Sequence, residues 1–107
     1  MRIVEVYYKG IAAGVLTEHD NGTYEFRYYD LWLADEKKQA ISLTLPKTNQ
    51  VYVASVLFPF FYHLLPEGTN KKIVCDTMRI EPDDYFSLLV ATAKFDTIGA
   101  ITIERIK

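Results

Sequence analysis

The segment Leu64-Leu65-Pro66-Glu67-Gly68-Thr69-Asn70 holds the residues best suited to recognition chemistry in this chain. Leu64 and Leu65 can serve a core, Pro66 stiffens the backbone and Gly68 permits a sharp reversal, which leaves Glu67, Thr69 and Asn70 as outward polar groups. A stiff, projecting loop loses little entropy on docking, which suits contact with a partner. A plain helix-to-helix turn accounts for the same residues, so packing and recognition both stand as readings. Tyr62 and His63 precede the loop and would flank any contact it makes. Trp32, the sole tryptophan, combines a large apolar area with one polar handle and reads either as a core anchor at the sheet's edge or as a binding hot spot.

Reaction chemistry is poorly supplied. The five glycines, at 10, 14, 22, 68 and 99, never approach the G-x-G-x-x-G or G-x-x-x-x-G-K spacing that cradles phosphates, which argues against an autonomous nucleotide enzyme. His19 and His63 are isolated, and neither belongs to a pattern that presents two metal ligands on one face. Glu81, Asp83 and Asp84 cluster beside Pro82, where carboxylates meet the unpaired N–H groups of a helix start, so capping is favoured over catalysis. Cys75 lies on an apolar-spaced stretch without a histidine nearby and reads as a small buried hydrophobe. No catalytic residue, metal site or cofactor is expected.

With 107 residues the chain suits one compact domain, residues 1–107, and half of its residues are apolar. The net charge of −2 and the scattered lysines, doubled only at Lys37-Lys38 and Lys71-Lys72, disfavour direct nucleic-acid binding. A single cysteine, a carboxylate at Glu5 and the lack of any window of about 20 apolar residues point to a cytoplasmic protein with neither a leader nor a membrane span.

The elements that must position these residues follow from periodicity. Residues 2–8 and 11–17 flank Lys9-Gly10 as a tight hairpin, and Asn21-Gly22 turns the chain into a strand whose Tyr24, Phe26 and Tyr28 face inward. Asp30 to Ala34 reads as a short helix with an Asp N-cap. Ile41, Leu43 and Leu45 alternate with Ser42 and Thr44 as a fourth strand, followed by a polar loop over residues 47–50. A helix should begin near Pro59 and close at Pro66 and Gly68; a second covers Thr69 to Met78, and a third opens at Glu81-Pro82-Asp83-Asp84 and ends within 92–96. Gly99 then introduces a final strand over residues 100–105. This order implies an α+β domain, a mostly antiparallel sheet or small partial barrel with three to four short helices grouped on one side.

Several ordered pieces resemble the N-terminal subdomain of the HipA-type toxin kinases. Ala13-Gly14-Val15-Leu16-Thr17 matches its early G-x-L strand, followed by Asn21-Gly22 and the alternation of Tyr24, Phe26 and Tyr28. Leu31-Trp32-Leu33-Ala34 matches its short helical segment, and Ile41-Ser42-Leu43-Thr44-Leu45-Pro46 its L-S-L-S-L-P strand. Phe60 to Gly68 is similar to F-F-x-N-L-L-P-E-G, with His63 where Asn is usual, and Asp84-x-Phe86-x-Leu88-Leu89 and Ile98-Gly99-Ala100-Ile101 complete the order.

The family's ATP, magnesium and phosphosite residues have no positions here to be carried onto. A free-standing version of this subdomain resembles the small HipS-like component of tripartite HipBST-type toxin–antitoxin systems in bacteria. That resemblance implies a non-enzymatic antitoxin that docks on a HipT-like Ser/Thr kinase and blocks its active site, with a HipB-like DNA-binding protein as a further partner in a ternary complex. The expected contact is Pro66, Glu67, Gly68, Thr69 and Asn70, flanked by Tyr62 and His63, with Trp32 as the outlying candidate. The alternative is a fold-completing or scaffolding subunit that a split kinase requires for activity or for its link to the DNA-binding partner.

Overall fold

The computed structural model describes residues 1–92 and 101–106. Five strands, β1 (Arg2–Tyr8), β2 (Ile11–Glu18), β3 (Tyr24–Tyr28), β4 (Val51–Ala54) and β5 (Ile101–Arg105), form one open sheet in the order β4-β3-β2-β1-β5, with every neighbouring pair antiparallel. Among the described residues four helices accompany it: α1 (Asp30–Ala34), α2 (Pro59–Tyr62), α3 (Gly68–Met78) and α4 (Tyr85–Thr92). The fold is thus α+β with an open sheet, not a barrel. The sequence features expected over 93–100, including the end of α4 and the Ile98-Gly99-Ala100 turn, lie outside the described residues.

The β1–β2 hairpin closes through Lys9 and Gly10, both at positive φ (50° and 79°), the two-residue turn whose twist matches that of the strands it joins. The β1–β2 register shifts between Val6 and Tyr7, a bulge in β2 at Ala13, whose carbonyl accepts the Tyr29 N–H at 2.9 Å. Next to it, a Cβ on Gly14 would lie 2.4 Å from the Arg27 carbonyl oxygen and 2.8 Å from the Phe26 ring. Glycine at 14 therefore leaves the space that the Arg27 carbonyl and the Phe26 ring occupy.

One sheet face carries Val4, Val6, Leu16, Phe26, Tyr28, Ile101 and Ile103 into a single buried cluster with Trp32 of α1, Phe61 of α2, and Phe86, Leu89 and Val90 of α4. Within this cluster Phe26 meets Tyr28 edge-on at 4.9 Å and Phe61 at 5.8 Å, so α2 is anchored on β3 by aromatic packing. In α3 the buried residue is Cys75, which is free.

The strand expected over Ile41–Leu45 is not formed, and Leu43 is 99% exposed. The buried Tyr28 hydroxyl explains the difference: it accepts from the Ile41 N–H at 3.1 Å and donates to the Leu45 carbonyl, so both ends of the segment are held by one side chain. Ser42 Oγ also accepts from the Thr44 N–H at 3.2 Å, a local turn that competes with ladder pairing. Ile41 and Leu45 still reach the core from this irregular segment. The fourth strand is instead β4, where a polar loop running into an apolar segment was expected.

Two helix starts also differ. Asp30 is inside α1, with Tyr29 as its N-cap, because the Asp30 carboxylate is taken by the Gln50 side-chain amide at 2.5 Å. α2 is only four residues long, and α3 begins at Gly68, one residue before the expected start at Thr69, so Gly68, Thr69 and Asn70 form a helix's first turn and only Pro66 and Glu67 remain of the projecting segment.

Replacing Tyr28 by Phe should leave the Ile41 N–H and Leu45 carbonyl without their partner and destabilise the protein by about 1–3 kcal/mol. Urea denaturation measures this, and a loss below about 0.5 kcal/mol would show that the segment finds substitute partners.

Candidate functional site

Phe61 is fully buried while its neighbour Tyr62 is 45% exposed, so the short α2 turns one aromatic ring into the core and the next outward. Pro59 suits the first turn of this helix, where its missing N–H is not needed. Beyond α2 the chain tightens through Leu64 N–H to Phe61 O and Leu65 N–H to Tyr62 O, both 3.1 Å, before Pro66 prevents further helix. Glu67 is extended (φ −125°, ψ 158°) and Gly68 takes φ +57°, a backbone conformation that favours glycine, so the chain can enter α3 at once.

The junction encloses a cleft of about 210 Å³ lined by Tyr62, Leu65, Pro66, Glu67, Lys71 and Tyr85, with Gly68 at its edge. Tyr62 and Tyr85 meet at 5.3 Å with their planes 89° apart, the favourable edge-to-face arrangement. The Lys71 ammonium lies 5.5 Å from the Tyr85 ring centroid, a cation–π contact. Glu67 is exposed and forms no ion pair among the described residues. The site is an aromatic wall with a carboxylate on its rim.

Tyr85 is held in place by the start of α4. Asp84 accepts from the Ser87 N–H at 3.3 Å and from the Ser87 hydroxyl at 2.7 Å, so it caps this helix, while Glu81 and Asp83 stay exposed. Arg2 of β1 then ties the cap to the sheet, with bonds of 2.8 Å to Asp84, 2.6 Å to Glu18 and 2.7 Å to the Ser87 hydroxyl, and its guanidinium lies 5.0 Å from the Phe86 ring centroid. Burial pushes the Asp84 carboxyl up, but the hydrogen bonds from Arg2 and Ser87 together outweigh it and hold the group below its ordinary value.

A second polar cluster lies on the other face of the sheet, where Glu5 accepts hydrogen bonds from the hydroxyls of Tyr29 and Tyr7. These bonds lower the Glu5 carboxyl. Tyr7 is pushed up to about 12 by its bond to Glu5, and Tyr29 to about 12 by burial and then by Glu5. The Glu5 carboxylate thus ties Tyr7 within β1 to Tyr29 at the start of α1.

Of the residues singled out in the sequence, Tyr62, Pro66, Glu67 and Gly68 come together around the cleft. Thr69 and Asn70 are exposed on the first turn of α3, and His63 is exposed beside Tyr62, 6.2 Å between ring centroids. None of these three lines the cleft. Trp32 does not join the site either: it is 3% exposed, donates its indole N–H to the Gln39 carbonyl at 3.0 Å and packs on Tyr8 at 5.7 Å. Both its apolar area and its polar handle are already satisfied within the fold, as the core-anchor reading of this residue expects. Sequence reasoning missed Leu65, Lys71 and Tyr85. The available signals were an aromatic directly after the Asp84 cap and a lysine four residues after Glu67, on the same helical face.

Among the described residues no group of three or more His, Cys, Asp and Glu is placed to hold a metal ion, and no helix is long and apolar enough to cross a membrane.

Comparison with known proteins adds the family. Residues 4–104 match the family described as HipA N-terminal domain (Couple_hipA). Two Sinorhizobium fredii proteins, "Putative kinase Y4mE" and "Putative kinase Y4dM", are 30% and 29% identical over 83% and 94% of this chain. The chain spans only 21% and 26% of their lengths. An uncharacterised Haemophilus influenzae protein is 29% identical over 100% of this chain and 95% of its own length. A solved structure, the N-terminal domain of HipA toxin, superposes with a TM-score of 0.73 at 22% identity, covering 100% of this chain and 94% of the other, which shows the shared fold.

The lowered Asp84 carboxyl contributes stability that is present above its unfolded value, near 3.8, and is lost as pH falls through the lower folded value. The thermal midpoint should therefore be level from pH 7 down to about 5 and fall steeply below about 4. Asp84→Asn should flatten part of that fall, and an unchanged acid limb would sink this assignment, leaving the other lowered carboxyls, Glu5 and Asp20, as its source.

Proposed function

From the premise that this chain belongs to the HipA N-terminal domain family, we propose that it acts as a non-enzymatic antitoxin that docks on a HipT-like Ser/Thr kinase and occludes its active site. The observation that carries this reading is the α2–α3 cleft: an exposed Tyr62 ring, braced by Tyr85 and mounted on a helix whose neighbouring Phe61 is buried, with the Glu67 carboxylate at the rim. Such a surface offers the elements of an interface anchor, an aromatic ring inside a polar border. Glu67 would meet cationic groups that otherwise bind phosphate, and truncating one member of such a pair once buried costs about 2–5 kcal/mol. The Haemophilus influenzae relative, matched over 95% of its length, supports a role for this domain as a protein in its own right. In this reading the protein is cytoplasmic, needs no cofactor and joins a HipB-like DNA-binding protein in a ternary complex.

A second reading has its own support. Because the kinase-named relatives contain this region as 21% and 26% of a longer chain, the domain also fits a subunit that completes or scaffolds a split kinase. Co-expression separates the two: an inhibitor relieves the kinase's toxicity, and a completing subunit creates it.

Substituting Glu67→Ala together with Thr69→Ala should weaken growth rescue about tenfold or more while leaving the thermal midpoint within a few degrees, since both side chains are exposed. Tyr62→Ala should do the same through the lost anchor. Full rescue by both variants would exclude the cleft as the contact.

A further inference from the structure

A second cleft, of about 300 Å³, opens where the β1–β2 hairpin turn meets the segment after α1. Lys9, Lys37 and Lys38 line it together with Tyr8, Ile11 and Trp32. The sequence separates Lys9 from the Lys37-Lys38 doublet, so only the fold gathers these three cations. No carboxylate among the described residues pairs with any of them, and neither Asp35 nor Glu36 lines the cleft. Two of the ammonium groups are steadied by rings, Lys9 at 5.8 Å from the Tyr8 centroid and Lys38 at 5.4 Å from that of Trp32. A cation held over a ring keeps N–H donors free for an anion.

The backbone presenting the doublet is itself fixed. Lys47 Nζ donates at 2.7 Å to the carbonyls of both Asp35 and Lys38, and the Asp35 carboxylate accepts from the Lys37 N–H at 3.0 Å. Gln39 bonds the Tyr8 hydroxyl through its amide and receives the Trp32 indole N–H on its carbonyl, which joins the doublet's loop to the hairpin. A basic cleft with little left to reorganise is suited to binding.

We propose that this cleft docks an acidic segment of a partner protein, with carboxylates pairing to Lys9, Lys37 and Lys38 over the apolar wall of Tyr8 and Ile11. A protein segment fits better than a nucleic acid. Trp32 is 3% exposed and the Tyr8 ring already carries Lys9 at 5.8 Å, so neither offers bases an open face, and three ammonium groups on a chain of net charge −2 neutralise few phosphates. The assignment is independent of the α2–α3 cleft and of which partner that cleft takes.

Trp32, as the sole tryptophan with Lys38 over its ring, is a built-in reporter. Titrating the full chain with a hexaglutamate peptide in about 20 mM salt should give a saturable change in its emission, and the affinity should fall about tenfold on raising salt to about 150 mM. Lys9→Asn with Lys37→Gln should weaken binding at least about fivefold; Asn tolerates the positive φ at position 9, and Lys38 is left in place to preserve the reporter. Amide shifts at residues 9, 37 and 38 in NMR spectra read the same event without fluorescence. The proposal is overturned by absence of saturable binding in both readouts, by full affinity in the double variant, by tighter binding of an oligothymidylate of equal charge, or by an equal response to inorganic phosphate at matched charge concentration.

Discussion

Arg2 fastens three parts of the chain that are remote in sequence: the start of β1, the end of β2 and the first turn of α4. Its planar guanidinium serves Glu18 and Asp84 at once and lies over Phe86, a combination a lysine at this position could not reproduce. The side chain is 41% exposed, so the individual ion pairs are screened and each contributes modestly. What the network supplies is geometry. It fixes the start of α4, α4 places Tyr85, and Tyr85 meets the Tyr62 ring edge-on.

The opposite side of the same cleft is fixed by packing alone. Gly14 leaves room for Phe26, Phe26 receives Phe61, and Phe61 is the one α2 residue fully enclosed. Dense packing of this kind transmits position with little slack, so a four-residue helix, too short to be stable by its own hydrogen bonds, presents Tyr62 at a defined angle. Electrostatics holds one wall of the cleft and aromatic packing the other.

Much of this was legible in the sequence, and the limits have physical causes. The β1–β2 hairpin, the Asn21-Gly22 turn and β3 follow from local signals, turn residues and period-2 alternation, which need no tertiary information. Ile41–Leu45 carried the same alternation and misled, because a single buried hydroxyl, that of Tyr28, outcompetes a strand ladder for the same backbone groups. β4 was hidden for the converse reason: Val51 and Val53 are exposed on an edge strand while Tyr52 and Ala54 pack against the core, so both faces carry apolar side chains and no polar alternation reveals the strand. At the cleft, the Pro66-Glu67-Gly68 reversal was visible as turn chemistry, whereas the local signals at Tyr85 and Lys71 place each on its own helix, and only the packing of α2, α3 and α4 brings them to one cleft. Lys9 and the Lys37-Lys38 doublet are a further case, remote in the chain and neighbours only after the hairpin and α1 are placed.

The contrast between Trp32 and Tyr62 shows why a residue's type does not settle its role. Both are large aromatics with a polar handle, and by composition Trp32 is the stronger candidate for a contact. Folding has already removed its ring from water and satisfied its N–H, so docking could extract little more from it. Tyr62 retains nearly half of its accessible surface, on a ring braced at right angles by Tyr85. Covering that surface would yield on the order of 1 kcal/mol from apolar burial, with little rotamer entropy left to lose. That uncovered apolar area, absent from Trp32, is the physical ground for reading Tyr62 rather than Trp32 as the contact in the proposed docking.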